Sequence, residues 1–229
     1  MKPVYILLLL VVLAGCKSNE VANSGDVNQH TIYQSYAVRY NEETNETQAS
    51  AAFRFGGSNG TTLVLTAPSS VTFNGQPMEA RNSIIGGAWY ESYFRQVLPN
   101  GLDCKFEFKD TEGKNYINSV RFNAVLMGGL PETLEKGMPL MFTFKTAGLN
   151  PGETINVYLA DSVKSETFVV NTLSTDGKLL IPASVLNKLN GKVDMRITRF
   201  YKANLSAATE EGGTIVFEYM LKPRTFVII

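Results

Sequence analysis

"TIYQSYAVRY" (Thr31–Tyr40) and "TQASAAFRFGG" (Thr47–Gly57) stand either side of a polar stretch, Asn41–Glu46. In the second segment Ala49, Ala51, Phe53 and Phe55 share one phase, while Ala52 and Arg54 share the other. A period of two is the repeat of a pleated strand, whose side chains alternate between faces. Two such runs joined by a polar turn predict a β-hairpin.

The same rhythm continues outward from this hairpin. "TTLVLT" and "SVTFNG" follow it, the latter closed by the turn-forming pair Asn74-Gly75. "AWYESYFRQV", "CKFEF", the turn "DTEGKN" and "YINSVRFNAVLM" come next. After a break at "GGLPETLEKGMP" the strands resume with "LMFTFKT", "ETINVYLA", "ETFVVNTL", "KVDMRITRF", "GTIVFEYML" and "RTFVII". Val193, Met195 and Ile197 form one face here, as do Ile215, Phe217, Tyr219 and Leu221. Short alternating strands with turn signals every 8–12 residues belong to sandwiches and barrels. The one helical piece is "PASVLNKLNG": Pro182 suits a first turn, Val185, Leu186 and Leu189 have helical spacing, and Gly191 is a stop signal.

The break, with its two prolines and three glycines, reads as a linker. The expected fold is therefore all-β, two tandem antiparallel β-sandwiches at residues 30–127 and 139–229. A linker at 128–138 joins them, and one short connector helix lies in the second. Residues 16–29 are polar and read as a flexible tether.

"LPETLEKGMPLMFTF…LNPGETINVYLAD…GKLLIPASVLNKLNGKVDMRITRF" resembles a C-terminal Ig-like β-sandwich of uncharacterised bacteroidete lipoproteins. The shared marks are the "LP…TL" linker, an apolar β run, the short "IPASVL" helix and a strand ending in Arg. The resemblance covers roughly Leu130–Phe200. It implies that the sandwiches are Ig-like and carries no activity.

The chain opens with Lys2 and an apolar run, Val4–Leu13. Ten residues fall short of the roughly 20 that a membrane-crossing helix needs. A charged start and a short apolar middle are those of a secretory signal, here residues 1–15. Leu13-Ala14-Gly15-Cys16 resembles the lipobox of bacterial lipoproteins. The resemblance implies a diacylglyceryl group on the Cys16 sulfur and cleavage between Gly15 and Cys16. Chains buried at about 0.8 kcal/mol per methylene would hold the protein to the membrane without spanning it. Lys17, where Asp would retain such a protein at the inner membrane, implies the outer membrane. The side on which the protein stands is left open, since only Glu20 answers to an acidic export run.

Composition excludes several functions. The chain has 21 basic and 21 acidic residues, and no basic stripe of the kind that binds nucleic acid. Of two cysteines, lipidation consumes Cys16, which leaves Cys104 without a disulfide partner. Cys104 alternates with Asp103 and Lys105 and shares its phase with Phe106 and Phe108, so a buried thiol is expected. His30, the single histidine, lies beside the leader and away from any nucleophile it could activate. "FGGSNG" (Phe55–Gly60) lacks the Lys and helix of a phosphate loop. "DTEGKN" (Asp110–Asn115) is a polar hairpin turn and misses the EF-hand pattern. No catalytic residue, metal site or cofactor is expected.

The stretch that does suggest recognition is "AWYESYF". Trp89, Glu91, Tyr93 and Arg95 share one phase, mixing large aromatics with charge. Such a face stacks on sugar rings or anchors protein interfaces; alternatively its aromatics cover the core. Glu91, Glu107 and Glu218 sit mid-strand in outward phases, so a carboxylate pair is not visible. "DSV" resembles a bacteroidete O-glycosylation acceptor, which implies Ser162 as the site. The leading expectation is a non-catalytic binding or adhesion module for glycan or protein. The alternatives are an accessory subunit of an envelope complex and, less favoured, a carboxylate-dependent glycan hydrolase.

Overall fold

The opening alternation folds as read. In the strand Ile32–Asn41, Ile32, Gln34, Tyr36, Val38 and Tyr40 are buried, and the residues between them face outward. Glu46–Phe55 pairs with it antiparallel along its whole length, from Asn41↔Glu46 to Ile32↔Phe55. In this computed structural model residues 20–146, 149, 151–171 and 177–229 are described. Gly15 and Cys16, the expected cleavage and lipidation site, lie outside them.

The first half comprises β1 (Val21–Asn23), β2 (Ile32–Asn41), β3 (Glu46–Phe55), β4 (Thr61–Val64), β5 (Ser70–Phe73), β6 (Gln76–Pro77), β7 (Glu79–Ser83), β8 (Gly87–Arg95), β9 (Asp103–Lys109) and β10 (Asn115–Arg121). The second half comprises β11 (Leu126–Gly128), β12 (Thr133–Leu134), β13 (Leu140–Lys145), β14 (Thr154–Ala160), β15 (Ser165–Val170), β16 (Lys178–Ile181), helix α1 (Ala183–Leu186), β17 (Gly191–Asn204), β18 (Gly213–Met220) and β19 (Arg224–Ile228). Asn74 and Gly75 hold φ of 49° and 80° between β5 and β6, the left-handed pair that a two-residue hairpin turn needs. Pro182 occupies the cap position before α1 rather than its first turn, and Leu186 and Leu189 are buried.

The chain is all-β, as expected, and its layers can be followed by register. A long sheet runs β1-β4-β3-β2-β18-β17-β14-β15, with β8 and β7 also pairing from β3 and β12 and β19 from β17. Opposed residues share a face, and the buried sets match across it: Ala51 with Tyr36, Tyr36 with Ile215, Val157 with Ile197. One face of the long sheet is therefore mainly apolar, with Gln34, Thr47 and Arg199 as buried polar members. Two smaller sheets, β10-β9-β5-β6 and β11-β13-β16, supply the rest of the core. Tyr36 stacks on Phe106 with centroids 4.7 Å apart, and Phe53 meets Phe108 at 4.5 Å. Phe122 lies against Tyr40 from β2 and against Phe217 and Tyr219 from β18. Cys104 is fully buried in this layer, and burial, with the Asp103 charge second, pushes its thiol up to about 12.

Three sequence expectations need correction. The pairing is not wholly antiparallel: β18 runs parallel to β2 over eight residues, Gly213↔Gln34 to Met220↔Asn41. β1 with β4 and β12 with β19 are parallel too. Secondly, the described end of the expected tether is folded. Val21–Asn23 pairs with Thr62–Val64, and Ser24 and Gln29 are buried, the Gln29 amide donating to the Ser24 and Val27 carbonyls. Thirdly, the expected linker 128–138 separates no sheet. Gly128 ends a strand paired with β13, and Thr133 and Leu134 pair with Val227 and Ile228. Glycine and proline punctuate this segment, but the backbone groups between them find partners on the last strand.

Candidate functional site

β8 pairs antiparallel with β3 on one side, from Glu46↔Arg95 to Ala51↔Tyr90. Because Ala51 is a core residue, Tyr90 must point inward, and it is buried with its hydroxyl donated to by the Leu65 N–H at 2.7 Å. Its neighbours in the other phase, Trp89, Glu91, Tyr93 and Arg95, therefore lie on the outer face of the long sheet. The structure thus brings together all four residues singled out in the sequence. Tyr93 is 56% exposed, and Trp89 and Glu91 are half-buried.

On its other side β8 is only partly covered. β7 pairs with it from Ser83↔Gly87 to Glu79↔Glu91 and then ends, leaving Ser92–Arg95 unpaired on that edge. Just there the chain crosses from the small sheet at β6 into the long sheet at β7. The step leaves a cleft of about 400 Å³ lined by Gln76, Pro77, Glu79, Arg81, Glu91, Ser92, Tyr93 and Phe94. Gln76, Pro77, Glu79 and Arg81 were not legible as site residues, since the short β6 and β7 carry no apolar pattern: their residues are exposed.

The polar groups of the cleft form one network. Arg81 Nε lies 2.8 Å from Glu91 Oε1, and its Nη2 lies 2.7 Å from Glu79 Oε2. Trp89 Nε1 donates to Glu91 Oε2 at 3.3 Å. Arg81 first, then the Trp89 indole, holds the Glu91 carboxyl below its ordinary value, and Glu91 raises Arg81 in turn. Beside them Arg95 pairs with Glu46 at 2.8 Å. The Tyr93 hydroxyl foremost, with Thr44 and Arg95, lowers the Glu46 carboxyl. Ion pairs as exposed as these add only about 0–1 kcal/mol to stability. Their effect is to fix an aromatic ring, a carboxylate and a guanidinium in one orientation around a concave surface.

The other candidate residues are dispersed. Glu107 lies on β9 in the small sheet and pairs with Lys105, and Glu218 lies on β18, separated from β8 by β3 and β2, and pairs with Arg39 at 2.8 Å. His30 lies in a single turn, Gln29–Thr31, where its N–H is bonded to the Asn28 side chain. Asp110 is spent on its own turn: its Oδ1 accepts the N–H groups of Glu112 and Lys114. Gly56 and Gly57 adopt φ of 85° and 87° in the β3–β4 turn. Ser162 is exposed at the β14–β15 turn, beside Asp161, whose Oδ1 accepts from Val163 and Lys164. Among the described residues no three His, Cys, Asp or Glu side chains gather as metal ligands.

No known family matches the sequence, and no curated protein matches it. Among the solved structures similar to the chain at a low level are three proteins or protein fragments. An ICAM-5 D1–D4 ectodomain fragment is 8% identical over 86% of this chain and 51% of its own, with a TM-score of 0.24. The Bacteroides ovatus mixed-linkage glucan utilization locus protein SGBP-B, in complex with a mixed-linkage heptasaccharide, is 11% identical over 82% and 55%, also with a TM-score of 0.24. The FN1–FN3 domains of chicken CNTN1 are 8% identical over 80% and 65%, with a TM-score of 0.22. The chain thus spans between half and two thirds of these structures' lengths, and at these scores the likeness says nothing of the site.

Proposed function

We propose that this protein is a lipid-anchored outer-membrane protein that binds a glycan in the β8 cleft without transforming it. The observation that carries the reading is the exposed Tyr93 ring standing beside a fixed Glu79–Arg81–Glu91 network. Sugars offer apolar ring faces edged by hydroxyls. An aromatic side chain meets the first, and carboxylate acceptors with guanidinium donors meet the second. A cleft of about 400 Å³ has the size of a small-ligand site.

The same electrostatics argue against hydrolysis. A glycosidase needs a general acid that keeps its proton near neutral pH, which calls for a raised carboxyl. Glu91 is shifted the other way. The anchor rests on the resemblance of Leu13–Cys16 to a lipobox, and the outer membrane on Lys17.

A glycan array probed with the mature chain tests the reading. Hits should be lost in Tyr93→Ala and weakened in Glu91→Gln, with the urea midpoint of both variants unchanged. Hits that survive both substitutions place the glycan elsewhere. An array without hits, together with a stoichiometric envelope protein captured through Trp89 and Tyr93, replaces this reading with that of an accessory subunit.

A further inference from the structure

Ile84 and Ile85 are 93% and 86% exposed at the tip of the β7–β8 hairpin. Two adjacent isoleucines in water at a hairpin tip contribute nothing to the core, and the base of the hairpin is built with care. Gly87 adopts φ +70°, and a Cβ there would lie 2.2 Å from Thr62 Oγ1, so only glycine lets the two strands approach. That same Thr62 hydroxyl accepts the Ala88 N–H at 2.9 Å and donates to the Glu20 carbonyl at 3.3 Å. One hydroxyl thus joins the root of the isoleucine tip to the first described residue of the chain.

The register shows that both leave the sheet at the same end. β8 approaches its own start as β3 approaches Phe55. Phe55 stands opposite Thr61, the start of β4, and Val21 stands opposite Thr62 in a parallel pair. Tracing back from Gly87 and tracing back from Val21 therefore lead in one direction. Phe55 and Val21, 44% and 46% exposed, lie at this end as well. Four residue steps separate Glu20 from Cys16, a span of at most about 14 Å.

We propose that this end of the sheet rests on the lipid surface, with Ile84 and Ile85 inserted into the monolayer beside the acyl chains of Cys16. The occupant is lipid rather than a protein partner because the chain leading to the anchor leaves from the same place. An anchor that short brings the tip to the headgroups. The tip is apolar and Glu210 and Glu211 flank the same end before β18, so the contact is hydrophobic and insensitive to salt. The proposal takes the lipid anchor from the reading above, and the test separates the two.

The mature chain carrying Ile84→Cys is labelled with an environment-sensitive fluorophore and reconstituted into phosphatidylethanolamine–phosphatidylcholine vesicles bearing acyl-chain nitroxides. Val163→Cys, on the exposed β14–β15 turn at the opposite edge of the long sheet, is the control. Failure of native Cys104 to label reports that each variant is folded. Intact mass reports acylation independently. Blue-shifted emission and nitroxide quenching at position 84, unchanged in high salt and absent at 163, are expected. An acylated chain whose label at 84 stays as water-exposed as that at 163 overturns the tip contact and leaves the anchor standing. A chain without acyl groups that still shows quenching at 84 supports the tip and removes the anchor. A chain with neither overturns both.

Discussion

Arg199 and Glu153 form an ion pair in the interior, with Nη2 2.5 Å from Oε1 and both side chains 2% exposed. Arg199 lies on β17 and points to the core face of the long sheet. Its Nη1 also donates to the Asn123 carbonyl at 2.7 Å and to Thr146 Oγ1 at 3.0 Å. Asn123 follows β10 and Thr146 follows β13, so one guanidinium clamps segments from both halves. Arg199→Met should therefore lower stability by about 3–5 kcal/mol, because it removes the guanidinium that balances a buried carboxylate. Urea denaturation measures this, and Arg199→Met with Glu153→Leu should recover much of the loss.

The proposed glycan binding should show an acid limit set by Glu91. Its carboxyl is depressed in the folded protein by Arg81 and then Trp89. The ionised pair is thus complete above the ordinary value of 4.5 and disappears only as pH falls through the lower folded value. Affinity measured from pH 7 downward should stay flat to about that ordinary value before falling. Glu91→Gln should remove the decline.

Cys104 should give the opposite limb. Burial raises its thiol from 9.0 to about 12, so the folded state keeps the proton that the unfolded state releases. The contribution to stability is complete below 9.0 and is lost as pH rises towards 12. Iodoacetamide at pH 9 should leave the native chain unlabelled and modify the denatured one at once. Cys104→Ala should flatten the alkaline fall in the urea midpoint.

Residues 128–138 should resist protease in the native chain. Thr133 and Leu134 are paired with β19, and the Lys136 N–H donates to the Ile229 carbonyl at 2.8 Å. Deletion of residues 224–229 removes those partners, and cleavage within the segment should then become rapid. Equal resistance in the truncated chain would mean that β19 is not what protects it.

What the sequence made legible follows the reach of each interaction. Alternation fixed the inward and outward phases of β2, β3, β8 and β9, because a strand's faces depend only on its own residues. The shared phase of Trp89, Glu91, Tyr93 and Arg95 and the burial of Cys104 came from this local rule, whereas whether that phase faced core or solvent was settled only by the pairing of β8 with β3. The parallel β2–β18 pair was invisible, since nothing in Ile32–Asn41 or Gly213–Met220 encodes which edge its strand will meet. For the same reason Gly128–Met138 looked like a linker: its partners lie at the far end of the chain. The cleft was half legible, because β8 is patterned whereas Gln76–Arg81 is a crossing segment without an apolar phase.

That β2–β18 pair also sets an order of events during synthesis. Arg39 and Glu218, hydrogen-bonded across it, are 179 residues apart in the chain. A chain made from its N-terminus presents the whole of β2 with one edge unpaired until nearly its last strand has emerged. The core between β2 and β18, where Phe122 sits on Tyr40 and Tyr219, cannot close before then. Assembly of this protein is consequently a late and slow event, dominated by distant contacts. A stall before residue 213 leaves an open strand edge of the kind that recruits other chains.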